Sequence, residues 1–352
     1  MVRHLVNLLL LFVPVSLYLG LTHASPTWVF VTACLAIVPL AGLMGEATEH
    51  LTHHAGPAVG GLMNASFGNA AELIIGLLAL RDGELEVVKA SLTGSIIGNL
   101  LLILGLSMLV GGWRHQELRF SKPAAHSSSA TMMLAVVALV IPAIYAGSTG
   151  HRRPQDVEAM SLDISWVLIL TYALSLVFSL KSHRHLFEGE DAEHAVEPDK
   201  PWSVRRAVIV LVLAAGVVGL VSEFMVSAID AAGKALGLGK LFMGVVVVAF
   251  VGNAAEHSTA VLVARKRMMD LAVGITLGSS MQIALFVAPV LVIAGHLMGQ
   301  PLGLEFTPLE VAAVVLSVVV VNVVIQDGKT NWFEGVQLLA VYAILALAFY
   351  FA

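Results

Sequence analysis

Long apolar stretches follow one another along almost the whole chain. Windows of about 20 apolar residues, the length that crosses a bilayer, predict eleven membrane-spanning helices. Their approximate bounds are 5–22, 28–50, 58–80, 87–110, 127–147, 160–180, 204–231, 241–264, 271–297, 308–326 and 332–351. Prolines lie in the connections, where helices begin or end: Pro26, Pro57, Pro123, Pro154, Pro201, Pro301 and Pro308. The pattern predicts an all-α polytopic membrane protein.

The first apolar stretch also resembles a cleavable signal peptide. Arg3 precedes the run Leu5–Leu19, and small residues follow at Ala24-Ser25. We interpret the stretch as a retained helix, because a polytopic protein can insert through its own helices and Pro14 is tolerated within one.

The composition agrees with a protein whose solvent is lipid. The 352 residues are 58% hydrophobic and 12% charged, and the mean hydropathy is +0.89, which leaves too few polar groups to cover a soluble globule. Membrane lipid is therefore an expected partner and nucleic acid is not. The single cysteine, Cys34, lies in an apolar run and is interpreted as a core residue.

Basic residues in the connections predict the orientation. The connections on the side of the N-terminus contain 13 Lys and Arg residues, and those on the other side contain 6. Because basic connections stay in the cytoplasm, the N-terminus is predicted to be cytoplasmic. The odd number of spans then places the C-terminus outside.

One five-residue sequence occurs twice, as Gly68-Asn69-Ala70-Ala71-Glu72 and as Gly252-Asn253-Ala254-Ala255-Glu256. Each copy lies in an apolar stretch, where a lone carboxylate is costly and usually marks an ion or proton path. The two copies lie in opposite halves of the chain. We predict a duplication in which the two halves contribute to one site.

The duplication predicts the organisation of the chain. An extra N-terminal helix (1–26) precedes a first five-helix repeat (27–181), an acidic, histidine-containing cytoplasmic linker (182–203) and a second five-helix repeat (204–352). An odd number of spans per repeat inserts the second copy from the opposite face, as in secondary transporters with inverted repeats.

Further pairs extend the duplication. Gly94-Ser95 and Gly278-Ser279 match at the same separation along the chain as the repeated glutamates. Asn99 and Gln282 match if one residue of slip is allowed, and Glu46 and Glu223 match at a somewhat shorter separation, which requires a length difference between the halves. The duplication is therefore clear in pattern and imperfect in register.

The polar side chains at these positions are an oxygen-rich set. Carboxylates, carboxamides and hydroxyls suit a hard cation, and Ca²⁺ in particular, which accepts six to eight oxygen ligands. The glycines permit a local helix break that turns backbone carbonyls toward the site. His257 is the one imidazole beside a repeated glutamate, which makes Zn²⁺ or Cu⁺ a poorer match. The candidate metal ligands are Glu72, Glu256, Asn99, Gln282, Asn69, Asn253, Ser95 and Ser279.

Protons are expected to compete with the cation. Two glutamates that face each other without a cation repel strongly, so at least one takes up a proton. Competition between protons and a divalent ion for Glu72 and Glu256 is an antiport mechanism in outline. Strict exchange follows if the helices move only when one ligand or the other neutralises the pair.

These motifs resemble the two α-repeats of the calcium/proton exchangers, a family of the cation/calcium exchanger superfamily. The resemblance covers essentially the whole chain. It implies a secondary transporter rather than an enzyme, without a cofactor, that carries Ca²⁺ and H⁺ as substrates. It also implies that Glu72 and Glu256 are the central metal ligands and proton acceptors, with Asn99 and Gln282 nearby. The chain resembles a short prokaryotic form, so the cell (inner) membrane is expected.

Several alternatives stay open at this point. A sodium/calcium exchanger is similar in fold, although the neutral Asn99 and Gln282 favour protons as counter-ion. Asn69 and Asn253 can cap broken helices instead of binding metal. The amides and hydroxyls on the later helices can be interhelical hydrogen bonds. Glu46, Glu223 and His257 are assigned to the access path, and a snorkelling position explains the two glutamates almost as well.

Two other classes of function and two further questions remain. His50, His53 and His54 with Glu49 have a spacing that could bind Zn²⁺ in an intramembrane metallohydrolase, although no His-Glu-x-x-His motif is present. A passive cation channel predicts flux that does not depend on a pH gradient.

The linker can regulate transport or simply connect the repeats. Homo-oligomerisation is left open.

Overall fold

The computed structural model describes residues 8–113, 115, 117–150, 153–183, 186 and 202–352. Between positions 56 and 66 it describes the side chains of residues 60 and 63 only. Most of the predicted linker, with its acidic residues, lies outside the described residues.

The described residues form a series of helices and one short sheet. The helices are α1 (Leu9–Leu21), α2 (Pro26–Phe67), α3 (Ala70–Arg81), α4 (Leu85–Gly112), α5 (Lys122–Ser148), α6 (Pro154–Ser182), α7 (Val204–Leu236), α8 (Lys240–Gly252), α9 (Ala254–Arg265), α10 (Met269–Met298), α11 (Pro308–Val324) and α12 (Trp332–Phe351). The strands β1 (Leu118–Arg119) and β2 (Lys329–Thr330) pair antiparallel.

Most of these helices can cross a bilayer. Among the described residues, seven are individually long and apolar enough, and α8 with α9 forms an eighth, bent span. The shorter helices α1 and α11 are also apolar. The predicted class, an all-helical multi-pass membrane protein, is confirmed, whereas the total of eleven spans stays a prediction.

One predicted helix boundary is wrong. Separate spans were expected at 28–50 and 58–80, with Pro57 between them, but α2 runs without interruption over 42 residues from Pro26 to Phe67. A proline removes one backbone hydrogen bond, a loss that membrane helices tolerate. The helix ends instead at Phe67, immediately before Gly68, the first residue of the repeated sequence.

Within the part of the chain that the structure describes, four helices contain π-helical turns. They lie at Gly98–Ile103 in α4, Phe178–Ser182 in α6, Met243–Val248 in α8 and Ile283–Val287 in α10. The turns in α4 and α10 begin at Gly98 and Ile283, nearly the same separation along the chain as that of the repeated sequences. The duplication therefore extends to an irregularity of the backbone, of a kind often found at functional sites.

The chain divides into two compact units, and each contains segments from both halves of the sequence. Unit 1 consists of Met1–Ser91, Glu197–Ala255 and Ala352. In it α7 packs along α2 and α3, and α1 packs on α2. Glycine permits one close contact, because a Cβ on Gly244 of α8 would lie 2.4 Å from the Cβ of Ala90.

Unit 2 consists of Leu92–Val196 and Glu256–Phe351. Its helix α10 packs on α5 and on the π-helical turn of α4, and α12 packs on the last part of α4. A Cβ on Gly335 of α12 would lie 2.6 Å from the carbonyl oxygen of Gly105, so small residues set this helix spacing.

Connections at one end of unit 2 contact each other. The backbone N–H of Ser121 donates to the carboxylate of Asp270, and the Ser121 hydroxyl donates to the carbonyl of Leu186 at 3.1 Å. The β1–β2 pair joins the connection of Ser121 to the one between α11 and α12, through Leu118 and Thr330. The charge count predicts all of these connections to be cytoplasmic, so this end of the unit is called the basic-connection end below.

Candidate functional site

The first repeated sequence interrupts a helix. α2 ends at Phe67, Gly68 and Asn69 form a turn, and α3 begins at Ala70. Asn69 has φ −99° and ψ 25°, outside the helical region, and its carbonyl accepts from the N–H of Leu73 at 3.0 Å. Glu72 lies in the first turn of α3, where a helix N-terminus favours negative charge.

The second repeated sequence interrupts a helix in the same way. α8 ends at Gly252, Asn253 has φ −89° and ψ 8°, and α9 begins at Ala254. The two helices are bent by 64° at this break. The Asn253 carboxamide donates to the carbonyl of Ala249 at 2.9 Å, so it caps the end of α8. Glu256 lies in the first turn of α9.

In unit 1 the first repeated glutamate contacts the second repeated glycine. A Cβ placed on Gly252 would lie 3.1 Å from Cγ and 3.3 Å from Oε1 of Glu72. These distances are tighter than ordinary van der Waals contact, so the backbone of α8 approaches Glu72 as closely as glycine allows. Glu72 is half-buried.

In unit 2 the second repeated glutamate has a polar chain behind it. The hydroxyl of Ser279 on α10 donates to the Glu256 carboxylate, and the carboxamide of Asn99 donates to the Ser279 hydroxyl at 3.0 Å. Asn99 lies in the π-helical turn of α4 and is 1% exposed. Three of the predicted ligands are thus connected through oxygen and amide groups only.

The other predicted ligands have different positions. Ser95 is buried on α4, one turn before Asn99. Gln282 is partly exposed on α10, immediately before the π-helical turn. Asn69 is 1% exposed beside the first helix break.

The predicted access-path residues include two charged contacts. Glu223 on α7 forms an ion pair with Arg81 on α3, with 3.1 Å between Oε1 and Nη2. Glu46 on α2 lies 4.0 Å from Nε2 of His50. His257 is buried next to Glu256 in the chain. Arg81 belongs to the same helix as Glu72, so Glu223 is linked to the repeated sequence through α3.

The histidines near the end of α2 contact the segment before α7. His50 stacks on Trp202 with 4.4 Å between ring centroids, and its Nδ1 accepts from the Trp202 N–H at 3.3 Å. His54 donates through Nε2 to the Trp202 carbonyl at 2.8 Å. Among the described residues no group of three His, Cys, Asp or Glu side chains is arranged to hold a metal ion. These contacts offer no support for the metallohydrolase hypothesis.

Two contacts were not predicted from the sequence. One is the Arg81–Glu223 ion pair. The other is the fully buried Glu310 of α11, whose carboxylate accepts from Thr307 and from the hydroxyl of Thr93 at 3.4 Å. Thr307 and Glu310 form a capping box, for which the sequence does carry a signal, Thr-Pro-Leu-Glu.

The fold and the two carboxylate-bearing helix breaks define a multi-pass membrane protein of the ion-exchanger class. A family model described as "Sodium/calcium exchanger protein" matches residues 25–181 and 206–351. The chain belongs to this family.

Similar proteins include antiporters. A Ca(2+)/H(+) antiporter of Aphanothece halophytica is 44% identical over 97% of this chain and 95% of its own length. The Ca(2+)/H(+) antiporter ChaA of Bacillus subtilis is 43% identical over 96% of each chain. The solved structure of native YfkE is 38% identical and covers 100% of both chains with a TM-score of 0.86. The resemblance to calcium/proton exchangers is confirmed.

The fold extends to more distant structures. A solved H+/Ca2+ exchanger that is 13% identical covers 99% of this chain and 92% of its own, with a TM-score of 0.69. At this identity the likeness concerns the fold alone.

Proposed function

We propose that the protein is a secondary antiporter that exchanges Ca²⁺ for H⁺ across the membrane of a prokaryotic cell. The observation that carries the proposal is the polar chain of Asn99, Ser279 and Glu256, an oxygen-rich set behind a carboxylate in an apolar helix. Relatives that are 43% and 44% identical over nearly the full length are named Ca(2+)/H(+) antiporters. Calcium and protons are therefore the proposed substrates, and no cofactor is invoked.

The proposed mechanism is competition at two carboxylates. Glu72 and Glu256 bind Ca²⁺ when they are ionised and bind protons when Ca²⁺ leaves, because an uncompensated carboxylate in an apolar medium favours its neutral form. The Asn99 and Ser279 groups supply neutral oxygens near Glu256. Amide and hydroxyl oxygens complete a Ca²⁺ shell without adding charge. In this proposal Asn69, Asn253, Ser95 and Gln282 contribute further oxygens.

Alternating access completes the proposal. The repeats predicted from the sequence are inserted in opposite directions, and rocking of one group of helices against the other exposes the carboxylates first on one side and then on the other. Glu46 on α2 and Glu223 on α7 lie on the proposed access path, together with His257. The charge count predicts a cytoplasmic N-terminus. In a cell with a proton-motive force, entering protons expel Ca²⁺ from the cytoplasm in this proposal.

Substitution of the two glutamates tests the proposal. Glu72→Gln and Glu256→Gln each remove a charge and a proton acceptor at nearly constant volume, so each variant should fold and lose exchange. The measurement is Ca²⁺ uptake into everted membrane vesicles driven by a pH gradient. Glu86→Gln is the matched control, because Glu86 is an exposed carboxylate in the first turn of α4.

The outcomes separate the alternatives. Uptake by the wild type and by Glu86→Gln, with none by the two site variants, supports the proposal. Normal uptake by Glu72→Gln or Glu256→Gln would refute the role of that residue. Uptake driven by a sodium gradient instead would indicate a sodium/calcium exchanger, and flux indifferent to both gradients would indicate a channel.

A further inference from the structure

Unit 2 contains a cavity that the proposed exchange does not yet use. It has a volume of about 660 Å³ and lies among helices α5, α6 and α10. Its lining comes from the first turns of α5, the last turns of α6 and the first half of α10.

The cavity extends inward from the basic-connection end of the unit. Ser121 and Asp270 line that end, and Gln282 lines the other. The stretch of α10 from Asp270 to Gln282 is about 18 Å long, at about 1.5 Å per residue along a helix axis. The cavity is therefore deep enough to reach from a membrane face toward the middle of the bilayer.

Hydroxyl groups on two of the helices line the cavity. The Thr131 hydroxyl donates to the Ser127 carbonyl at 3.0 Å, and the Thr171 and Ser175 hydroxyls donate to carbonyls of α6 at 2.8 and 2.7 Å. A hydroxyl oxygen whose proton is donated in this way still has lone pairs that accept from water. Much of the lining is apolar, but a cavity of this size has room for ordered water, and the hydroxyls give that water hydrogen-bond partners.

A buried phenol forms part of the wall of the cavity. Tyr172 lines the cavity and is 6% exposed. Its ring stacks on Phe286 with 5.6 Å between centroids, which fixes the position of the side chain. The hydroxyl oxygen of Tyr172 is itself enclosed by protein, so the groups that water in the cavity can bind are the serine and threonine hydroxyls.

The inner end of the cavity approaches the polar chain at Glu256. Gln282 follows Ser279 on α10 by less than one helical turn. Ser279 donates directly to Glu256. Water that reaches Gln282 is thus within a turn of the group that holds the carboxylate.

The charges on the lining favour protons over calcium. Asp270 and Tyr172 are the titratable side chains among the described lining residues, and Asp270 lies at the rim, where it accepts from Ser121. Farther inward the lining consists of apolar side chains and neutral polar groups, the hydroxyls and the Gln282 carboxamide. A divalent cation would have to give up much of its hydration shell without a carboxylate to replace it, whereas a proton can pass along hydrogen-bonded water.

We propose that this cavity is a hydrated path that carries protons between the basic-connection end of unit 2 and Glu256, and that Ca²⁺ enters by another route. This inference rests on the proposed exchange of Ca²⁺ for H⁺. It assigns the hydroxyls that line the cavity a role distinct from metal binding, and it places Gln282 where the path meets the proposed site.

A plug in the cavity tests the proposal. Gly274 lines the cavity, and a Cβ added there meets nothing within 4 Å, so Gly274→Leu should fill the path without a clash. Gly216→Leu is the control, because Gly216 on α7 is exposed and a Cβ there also meets nothing within 4 Å.

Two transport measurements distinguish the routes. Ca²⁺ uptake driven by a pH gradient requires proton movement, whereas exchange of radioactive for unlabelled Ca²⁺ at equal pH does not. Gly274→Leu should lower the first rate by about tenfold or more and leave the second within about twofold. Gly216→Leu should leave both rates unchanged.

The other possible results would overturn either the proton path or the proposed function. Equal loss of both rates in a folded Gly274→Leu protein would overturn the proposal, since the cavity would then carry Ca²⁺ or shape the site. Unchanged rates would overturn it as well. A wild type without uptake driven by the pH gradient would instead refute the proposed function.

A second variant covers the case in which Gly274→Leu does not fold. Ser128→Cys, in a Cys34→Ala background, can be modified with a bulky thiol reagent after the protein has folded. Ser128 lines the cavity and is partly exposed. Modification should reproduce the selective loss of proton-driven uptake, and failure of the reagent to react or to inhibit would contradict a hydrated path.

Discussion

At the scale of single residues, the contact between Glu72 and Gly252 leads to a sharp prediction. A methyl group at position 252 would lie 3.1 Å from Cγ of Glu72, so Gly252→Ala must displace the carboxylate by a few tenths of an ångström. We expect an apparent Ca²⁺ affinity weaker by about 3- to 10-fold, because ligand positions of this kind tolerate little displacement. The measurement is the Ca²⁺ dependence of uptake into vesicles.

The matched control for this prediction is Gly42→Ala on α2, where a Cβ meets nothing within 4 Å. Alanine in place of glycine in the interior of a helix should not destabilise the Gly42→Ala variant. A weaker affinity of Gly252→Ala, at a thermal stability close to that of Gly42→Ala, would therefore be a local effect on Glu72. Equal affinities for the two variants would contradict the prediction.

The hydrogen-bond chain at Glu256 gives a second prediction. Ser279→Ala removes the donor to the carboxylate and leaves Asn99 without the acceptor of its 3.0 Å bond. We expect Ca²⁺ affinity to fall about tenfold, or ~1.4 kcal/mol, the usual cost of an unsatisfied buried polar group. Binding of radioactive Ca²⁺ to the purified protein measures the change.

Ser280→Ala is the control, since Ser280 is also buried but donates to the carbonyl of Thr276 on its own helix at 2.9 Å. Its affinity should stay within about twofold of the wild type, because no cross-helix bond is lost. A loss as large as that of Ser279→Ala would show that the serines matter for packing only.

Individual residues differ in how far the sequence identifies them. Glu72 and Glu256 stand out because a carboxylate in an apolar helix is rare, and their roles stay a prediction. The Arg81–Glu223 pair and the Thr93–Glu310 bond join residues that are far apart in the sequence. Such contacts depend on how helices pack, which hydropathy periodicity does not report.

At the scale of helices, the repeated glycines were expected to permit a local break, and breaks occur at Gly68-Asn69 and at Asn253. The π-helical turns were not predicted, since their residues are as apolar and as helix-compatible as those around them. The uninterrupted α2 was missed for the opposite reason. Pro57 has a strong local preference to end a helix, yet α2 continues through it, because a membrane helix tolerates the loss of one backbone hydrogen bond.

The connection that contains β1 gives a prediction about pH. Lys329 donates a hydrogen bond to the Glu117 carboxylate, and Arg119 donates another with a smaller effect. Together they lower the pKa of Glu117 below its ordinary value of 4.5. A carboxyl group with a lowered pKa stabilises the fold at neutral pH and loses that contribution as the pH falls below 4.5. Glu117→Gln should therefore lower the melting temperature slightly at neutral pH and have no effect in acid.

Thermal unfolding of both proteins in detergent at several pH values measures this effect. Because Glu117 and Lys329 are 41% and 45% exposed, the difference at neutral pH should be small and should shrink in high salt. A difference that persists unchanged below pH 4.5 would mean that the glutamine disturbs the β1–β2 pair by its shape rather than by its charge.

At the scale of the whole molecule, duplication in the sequence and compactness in space divide the chain differently. The predicted repeats are 27–181 and 204–352, yet each compact unit combines segments of both. A repeat is defined by similarity between two parts of the sequence, whereas a compact unit is defined by which helices bury surface against each other. Hydropathy therefore predicts the type of the elements, apolar helices, far better than it predicts which of them pack together.

Competition between protons and Ca²⁺ leads to a prediction about the protein as a whole. If protons and Ca²⁺ bind the same carboxylates, apparent Ca²⁺ affinity must rise with pH. It should change by about tenfold per pH unit for each proton displaced, until the carboxylates are fully ionised. Equilibrium binding of radioactive Ca²⁺ to purified protein at a series of pH values measures this slope, and a slope near two would mean that both glutamates release a proton.

Added Na⁺ at fixed pH should leave binding unchanged, because the proposed site holds neutral groups at Asn99 and Gln282 where a sodium site would favour additional charge. Displacement of Ca²⁺ by Na⁺ without a pH dependence would reverse the assignment of the counter-ion while leaving the exchanger fold intact.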